Sequence, residues 1–244
     1  MINFRQPIWI IAFGHLLGMF CIGIGVYSVI FDIAEFYWLL LWPLMHTMSS
    51  LMLSVGLHRY FSHGTFKTSV FWHKFMAYYS TILLQGSALG WSTAHITHHI
   101  HSDTERDPHI ASASYLIWKR YRNVPMTQGR LKYLINDPTL KFIHRYGQLL
   151  WLGFVVILLT ISWKLFIFGY GMALGSTHLV GAFHTTLTHL GKTPRNYPIL
   201  EYVLPASGEW MHKTHHENSR AKDFSTKWWH LDTGALFIKL IEIK

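Results

Sequence analysis

Charge is what this sequence lacks. Asp, Glu, Lys and Arg make up 14% of its 244 residues, against about 25% in an ordinary soluble domain. Hydrophobic residues make up 50%, so a membrane protein is expected. Cysteine is nearly absent: the single Cys21 excludes an intrachain disulfide and any CxxC zinc or redox motif. P-loop, HExxH and complete GxGxxG patterns are missing, as are helix-turn-helix, RNP and Cys/His finger patterns. The net charge of +9 is therefore not read as a nucleic-acid surface. Only Arg5 precedes the first apolar run, and no small-residue cleavage site closes it. That run is read as a retained anchor rather than a secretory signal.

Four runs free of Asp, Glu, Lys and Arg, at 6–31, 36–58, 146–163 and 165–191, are long enough to cross about 30 Å of hydrocarbon as helices. The expected fold is an all-α integral membrane protein with four transmembrane helices in two hairpins. Its spans are placed at about 8–30, 36–57, 146–163 and 165–186, and its histidine-rich cap at 58–145 and 187–244, within a single domain over 1–244. A fifth uncharged run, 75–102, is long enough to cross as well. If it crossed, histidines near 95 would face the opposite side from those near 58, and shared metal ions forbid that. Residues 75–92 are therefore expected to lie along the interface or to dip in and return; Gly86, Ser87, Gly90 and Ser92 suit a lipid-facing helix poorly. Of 21 Lys and Arg, one precedes the first span, eleven lie in 57–146 and eight follow residue 184, leaving Lys164 alone on the other side. By the positive-inside rule both termini and the cap are cytoplasmic. Residues 116–138, with Trp118, Lys119, Arg120, Tyr121 and Arg122, are expected to be an interfacial segment under lipid headgroups or a solvated basic loop.

What is abundant is histidine, eighteen in all. His15, His46, His73, His144, His178 and His230 stand alone and are read as hydrogen-bonded core residues. The others gather. AHITHHIHSDTERDPH, residues 94–109, holds five histidines and three carboxylates. In a helix His95 and His99 share a face, and His98 lies about 100° away. His212, His215 and His216 repeat this spacing. His58 and His63, five apart in HRYFSH, need a helix end or a bend between them to converge. Imidazole suits zinc, copper, iron and nickel. Eight histidines exceed one tetrahedral zinc, which takes four ligands, so two metal ions with open positions fit better. Asp103 and Asp107 are expected to accept the remaining ring N–H groups and to fix the tautomers.

At these residues a family becomes visible. GLHRYFSH, AHITHHIHSDTERDPH and GEWMHKTHH resemble the three histidine boxes of the membrane fatty acid desaturases, most of all the acyl-CoA (stearoyl-CoA type) branch and its bacterial acyl-lipid relatives. Arg59 follows the first box histidine, Asp107–His109 closes the second box, and Gly208 and Glu209 precede the third. WWHLDTGALFIKLIE is similar to the family's ending. The resemblance runs from about residue 50 to the end. It implies two iron ions, with O2 as co-substrate, and a cis double bond introduced into a long acyl chain, Δ9-type above others. The acyl group would be carried on CoA, a lipid or a carrier protein. His189, in HTTLTHLG, resembles a further ligand of the family, and Thr185 stands where the family has asparagine, with His184 beside it. Thr185, His184 and Glu209 are placed with Asp103 and Asp107 behind the ligands. Gly171 and Gly175 are read as room for the acyl channel or as helix packing. Lys213 and Gly64 depart from the family's usual residues. Nothing in these residues resembles a fused cytochrome b5, so a separate electron donor is expected: a ferredoxin, cytochrome b5 or similar. Two other readings are kept. One is a related membrane hydroxylase or ketolase acting on alkane, sterol or carotenoid; the other is a membrane metal- or haem-binding protein.

Overall fold

The computed structural model describes residues 8–109, 131–191 and 193–243. Residues 116–130 of the expected interfacial segment lie outside them. Helix α1, Ile8–Ile30, has 23 residues, about 34 Å at 1.5 Å per residue. A 3-10 turn at Phe36–Leu40 leads into α2, Leu41–Leu51, which continues as a π-helix through Met52–His63. Then come α3, Val70–Ile82, and α4, Ala88–His101. After a single turn at Leu131–Leu134 come α5, Pro138–Ile161, and a π-wound stretch, Leu165–Gly171, that opens α6, Met172–Thr188. Two short helices follow: α7, His212–Glu217, and α8, Thr233–Ile241. No strand occurs among the described residues; Thr68 and Glu242 form an isolated bridge.

Four helical stretches are long and apolar enough to cross a membrane: Trp9–Ile30, Phe36–His63, Pro138–Ile161 and Leu165–Thr188. Leu149, Leu152, Val156, Ile157 and Ile161 on α5, and Trp9, Phe20 and Ile30 on α1, are exposed large apolar side chains. A belt of this kind suits lipid rather than water. The chain is a multi-pass membrane protein. The second span continues past its expected end to His63 because its last turns widen into a π-helix. The third begins earlier than expected, at Pro138. Asp137 caps it by accepting Leu140 N–H at 3.0 Å, and Pro138 supplies the first helical residue. Lys141 and Arg145 are exposed on its first turns, where long cations can reach the aqueous boundary.

The run at 75–92 does not cross. It breaks at Leu84 (φ +50) and Gly86 (φ +91), and Ser87 restarts the chain as α4 by accepting Gly90 N–H. The tip is inserted into the bundle: Leu84 packs with Ile10, Val155, Tyr170 and Leu174. Tyr170 Oη donates to Ile82 O at 2.9 Å, and His178 Nε2 donates to Leu83 O at 2.8 Å. Irregular backbone survives at this depth because protein groups satisfy the carbonyls that water cannot reach. This is the re-entrant form of the expectation.

α1 and α6 meet at glycines. A Cβ on Gly18 would lie 2.3 Å from Gly175 Cα, and one on Gly171 would lie 2.4 Å from Cys21 Sγ. Gly171 and Gly175 thus form a packing seam rather than the wall of a channel: their lack of side chain is consumed by α1, which leaves no free space for a ligand. At one end of the bundle Lys164 pairs with Glu35. The histidine-bearing elements all gather at the other end, where α2's π-wound extension terminates.

Candidate metal centre

The π-helix solves the spacing of the first pair. Its hydrogen bonds run from i to i+5, so residues five apart stack on one face. The rings of His58 and His63 lie 5.1 Å apart. α4 presents His95 and His99 at one-turn spacing, with Nε2 atoms 3.0 Å apart, and α7 does the same for His212 and His216, also at 3.0 Å. His189 sits just past the end of α6.

The structure brings all nine of these imidazoles into two groups. His58, His63, His95, His99 and His215 form the first; His98, His189, His212 and His216 form the second. In the first, Nε2 separations are 2.8 Å for His58–His215, His215–His99 and His63–His95. In the second they are 2.8 Å for His189–His212 and 3.3 Å for His98–His216. Five nitrogens facing one another cannot all be satisfied by pairing among themselves. Metal–nitrogen bonds of about 2.1 Å set neighbouring donors about 3 Å apart in an octahedral or square-pyramidal shell. These edges therefore fit a metal ion in each group.

Protonation agrees with that geometry. His95, His98, His212 and His215 are held far below the usual imidazole range, by burial first and then by repulsion from neighbouring imidazoles. His99 is lowered by the same causes, and His216 is brought down to about 3 by burial and by His189. Neutral rings keep the lone pairs that a metal needs.

The outer nitrogens are oriented by carboxylates. Asp107 is buried and accepts His98 Nδ1–H, with its oxygens 3.0 and 2.9 Å away. It is held in turn by the backbone N–H groups of Asp103 and His109 at 2.9 and 2.8 Å. Asp103 accepts His189 Nδ1–H at 3.0 Å. Glu209 lies 2.7 Å from His58 Nδ1 and accepts from Ser54 Oγ. Burial pushes the Glu209 carboxyl up, but His58 and Arg59 outweigh it and bring it down to about 2. His184 Nε2 donates to the carbonyl of Glu209 at 2.8 Å. Thr185 Oγ1 donates to Gly181 O at 3.0 Å, one turn back along its own helix.

A cavity of about 110 Å³ opens against both groups. Leu53, Val180, Gly181, Pro205 and Ala206 line it together with His58, His95, His98, His189 and His212. His184, Thr185 and Glu209 also border it. Two neighbours were missed in the sequence. Trp91 stacks on His95 with ring centroids 4.7 Å apart, and its i−4 spacing was the available signal. His109, the last residue of DPH, lies 4.5 Å from the His98 ring. Five of the lone histidines, His46, His73, His144, His178 and His230, are hydrogen-bonded. His46 Nε2 donates to Pro205 O at 3.0 Å, and His144 Nδ1 meets Ser87 Oγ at 2.7 Å.

No family model matches the chain. Relatives do. A Delta-9 acyl-lipid desaturase 2 of Arabidopsis thaliana is 27% identical over 231 residues, covering 86% of this chain and 75% of the relative. An sn-1 stearoyl-lipid 9-desaturase of Anabaena variabilis is 24% identical, covering 78% and 75%. An acyl-CoA Delta(11) desaturase of Trichoplusia ni is 27% identical, covering 84% and 64%. All three are fatty acid desaturases by name, and the similarity runs over most of this chain. Its two histidine groups are placed so that each could hold a metal ion.

Proposed function

We propose that this protein is an O2-dependent fatty acyl desaturase that places a cis double bond in a long acyl chain, Δ9-type, using two iron ions. The observation that carries the proposal is the convergence of nine imidazole nitrogens in two groups beside one cavity. His58, His63, His95, His99 and His215 would hold one ion, and His98, His189, His212 and His216 the other. When bound, iron supplies the reduction of O2 that drives removal of two hydrogens from adjacent methylenes. The balance is two hydrogens from the acyl chain, plus two electrons and two protons from the donor side, reducing O2 to two waters.

The protein's own residues do the rest. Asp103, Asp107 and Glu209 hold ring N–H groups outward and so turn Nε2 lone pairs inward. His184 ties the end of α6 to the 209 backbone, and Thr185 borders the cavity. Leu53, Val180, Pro205 and Ala206 supply an apolar wall where methylenes can lie out of water. The Δ9 assignment follows two of the relatives, the Delta-9 acyl-lipid desaturase 2 and the sn-1 stearoyl-lipid 9-desaturase. The acyl group is carried on CoA, a lipid or a carrier protein; the relatives include acyl-lipid and acyl-CoA desaturases and a hex-5-enoyl-[acyl-carrier protein] acetylenase. A separate protein, a ferredoxin, cytochrome b5 or similar, delivers the electrons. The whole of 1–244 acts as one domain. The bias of Lys and Arg toward 57–146 and the residues after 184 supports a cytoplasmic location for both termini and the metal centre.

Lipid analysis of a host expressing the chain tests this reading. Monounsaturated acyl chains with the new bond at carbon 9 are expected, and they should disappear in His98→Ala. Hydroxylated products in place of alkenes would transfer the protein to the hydroxylase reading. Unchanged lipids from iron-loaded protein supplied with electrons would overturn the proposal.

A further inference from the structure

We infer that Arg59 and Asp232 are positioning residues for the first imidazole group, acting through Phe224 and Glu209. The inference rests on the reading that metal ions occupy the two groups. Arg59 follows His58 in the π-helix and is fully buried. Its guanidinium is a four-way junction. Nη1 donates to Asp232 Oδ1 at 3.0 Å and to Lys222 O at 2.9 Å. Nη2 donates to Ser207 O at 3.0 Å and lies 3.9 Å from Glu209 Oε1. Its Cζ lies over the Phe224 ring, 3.9 Å from the centroid.

Asp232 closes the other half of the junction. Its Oδ2 accepts Phe224 N–H at 2.9 Å, and its Oδ1 accepts Ala235 N–H at 2.8 Å at the start of α8. Two glycines make room for this approach. A Cβ on Gly208, whose φ is +92, would lie 2.3 Å from Asp232 Oδ1 and 2.7 Å from Arg59 Nη2; one on Gly234 would lie 2.7 Å from Ser207 O. Backbone from two irregular segments is thus drawn onto one buried cation.

What the junction holds is the outer side of the metal centre. Phe224 is fully buried, and its ring lies 4.9 Å from that of His215 and 6.0 Å from that of His58. It covers the backs of two imidazoles of the first group. Glu209, beside the same guanidinium, holds His58 Nδ1 at 2.7 Å. The second group is oriented instead by Asp103 and Asp107. Phe224 stands where the rings of His58 and His215 would have to swing outward to let go of an ion, and so opposes that route of release. Lysine cannot replace Arg59, because a point charge lacks the planar fork that bonds three acceptors at once and stacks on a ring.

The test is ferrous ion release from iron-loaded protein in detergent into an excess of a ferrous chelator. Two kinetic phases are expected, and Asp107→Asn identifies the phase of the second group by accelerating it. Phe224→Ala and Arg59→Lys should each accelerate the other phase about 10–100-fold while leaving the second group's phase within about twofold. Thermal unfolding of the same samples controls for a general loss of structure. If Phe224→Ala does not fold, Phe224→Leu, which keeps an apolar plug but loses the flat face, should accelerate the same phase by a smaller factor. Acceleration of both phases together, or of neither, would overturn the inference. A wild-type protein that binds no iron would overturn the functional reading beneath it instead.

Discussion

Asp107→Asn is the most informative single change. Both carboxylate oxygens are committed: Oδ1 to His109 N–H at 2.8 Å, Oδ2 to Asp103 N–H at 2.9 Å, and both to His98 Nδ1 at 3.0 and 2.9 Å. Asparagine has the same shape but only one acceptor. Whichever way the amide is turned, its NH2 faces a backbone N–H, and a donor meets a donor. If the NH2 also faces His98 Nδ1, the imidazole must take the other tautomer and aim Nε2–H into the metal group. Hydrogen bonds to a charged group are worth about 1.5–3 kcal/mol each. Loss of a partner behind a metal ligand costs about 10–100-fold in metal affinity, or roughly 1.4–2.7 kcal/mol, so the two routes agree. The ion held by His98, His189, His212 and His216 should weaken by that factor, and the ion held by the other five imidazoles should not. Competition titration of anaerobic protein against a ferrous chelator of known affinity resolves the two. Equal weakening of both ions, or no weakening, would refute the assignment of Asp107 to one group.

Gly175→Leu should lower the melting temperature in detergent, because a Cβ there would lie 2.4 Å from Gly18 O; overpacking of this kind costs about 1–3 kcal/mol. Gly153→Leu, where nothing lies within 4 Å, should leave it unchanged, and equal effects would contradict the seam between α1 and α6. The pH dependence follows from the lowered imidazoles. In the unfolded chain they titrate near 6.5, whereas in the folded metal-free protein His216 titrates at about 3 and His98 and His212 well below 6.5. The unfolded state therefore binds more protons below pH 6.5, and stability present above that pH is lost progressively on acidification. Thermal scans of metal-free protein from pH 7.5 to 4.5 should show a falling melting temperature, and a flat profile would contradict neutral buried rings.

The sequence carried the architecture because lipid imposes a simple code. A run of about twenty residues without charge has few other uses, and four such runs became four spanning helices. Helical spacing within AHITHHIH and HKTHH was equally legible, since i and i+4 share a face whatever the surroundings. His58 and His63 were not, because five-residue spacing has no meaning in an α-helix and becomes a face only in the π-helix that tertiary packing imposes. The early start of α5 was written in Asp137–Pro138, a cap and a first-turn proline, but the hydropathy reading stopped at Arg145. The GMALG pattern of Gly171 and Gly175 allowed two uses, and only the position of α1 decides for packing. Arg59, Asp232 and Phe224 meet across more than 160 residues of chain, a contact that no local pattern announces.

The most direct test of the central claim is the iron content of anaerobically purified chain, measured beside its desaturation activity. Two ferrous ions per chain are expected, one of them weakened in Asp107→Asn and both required for the double bond. Active material free of iron would contradict the account.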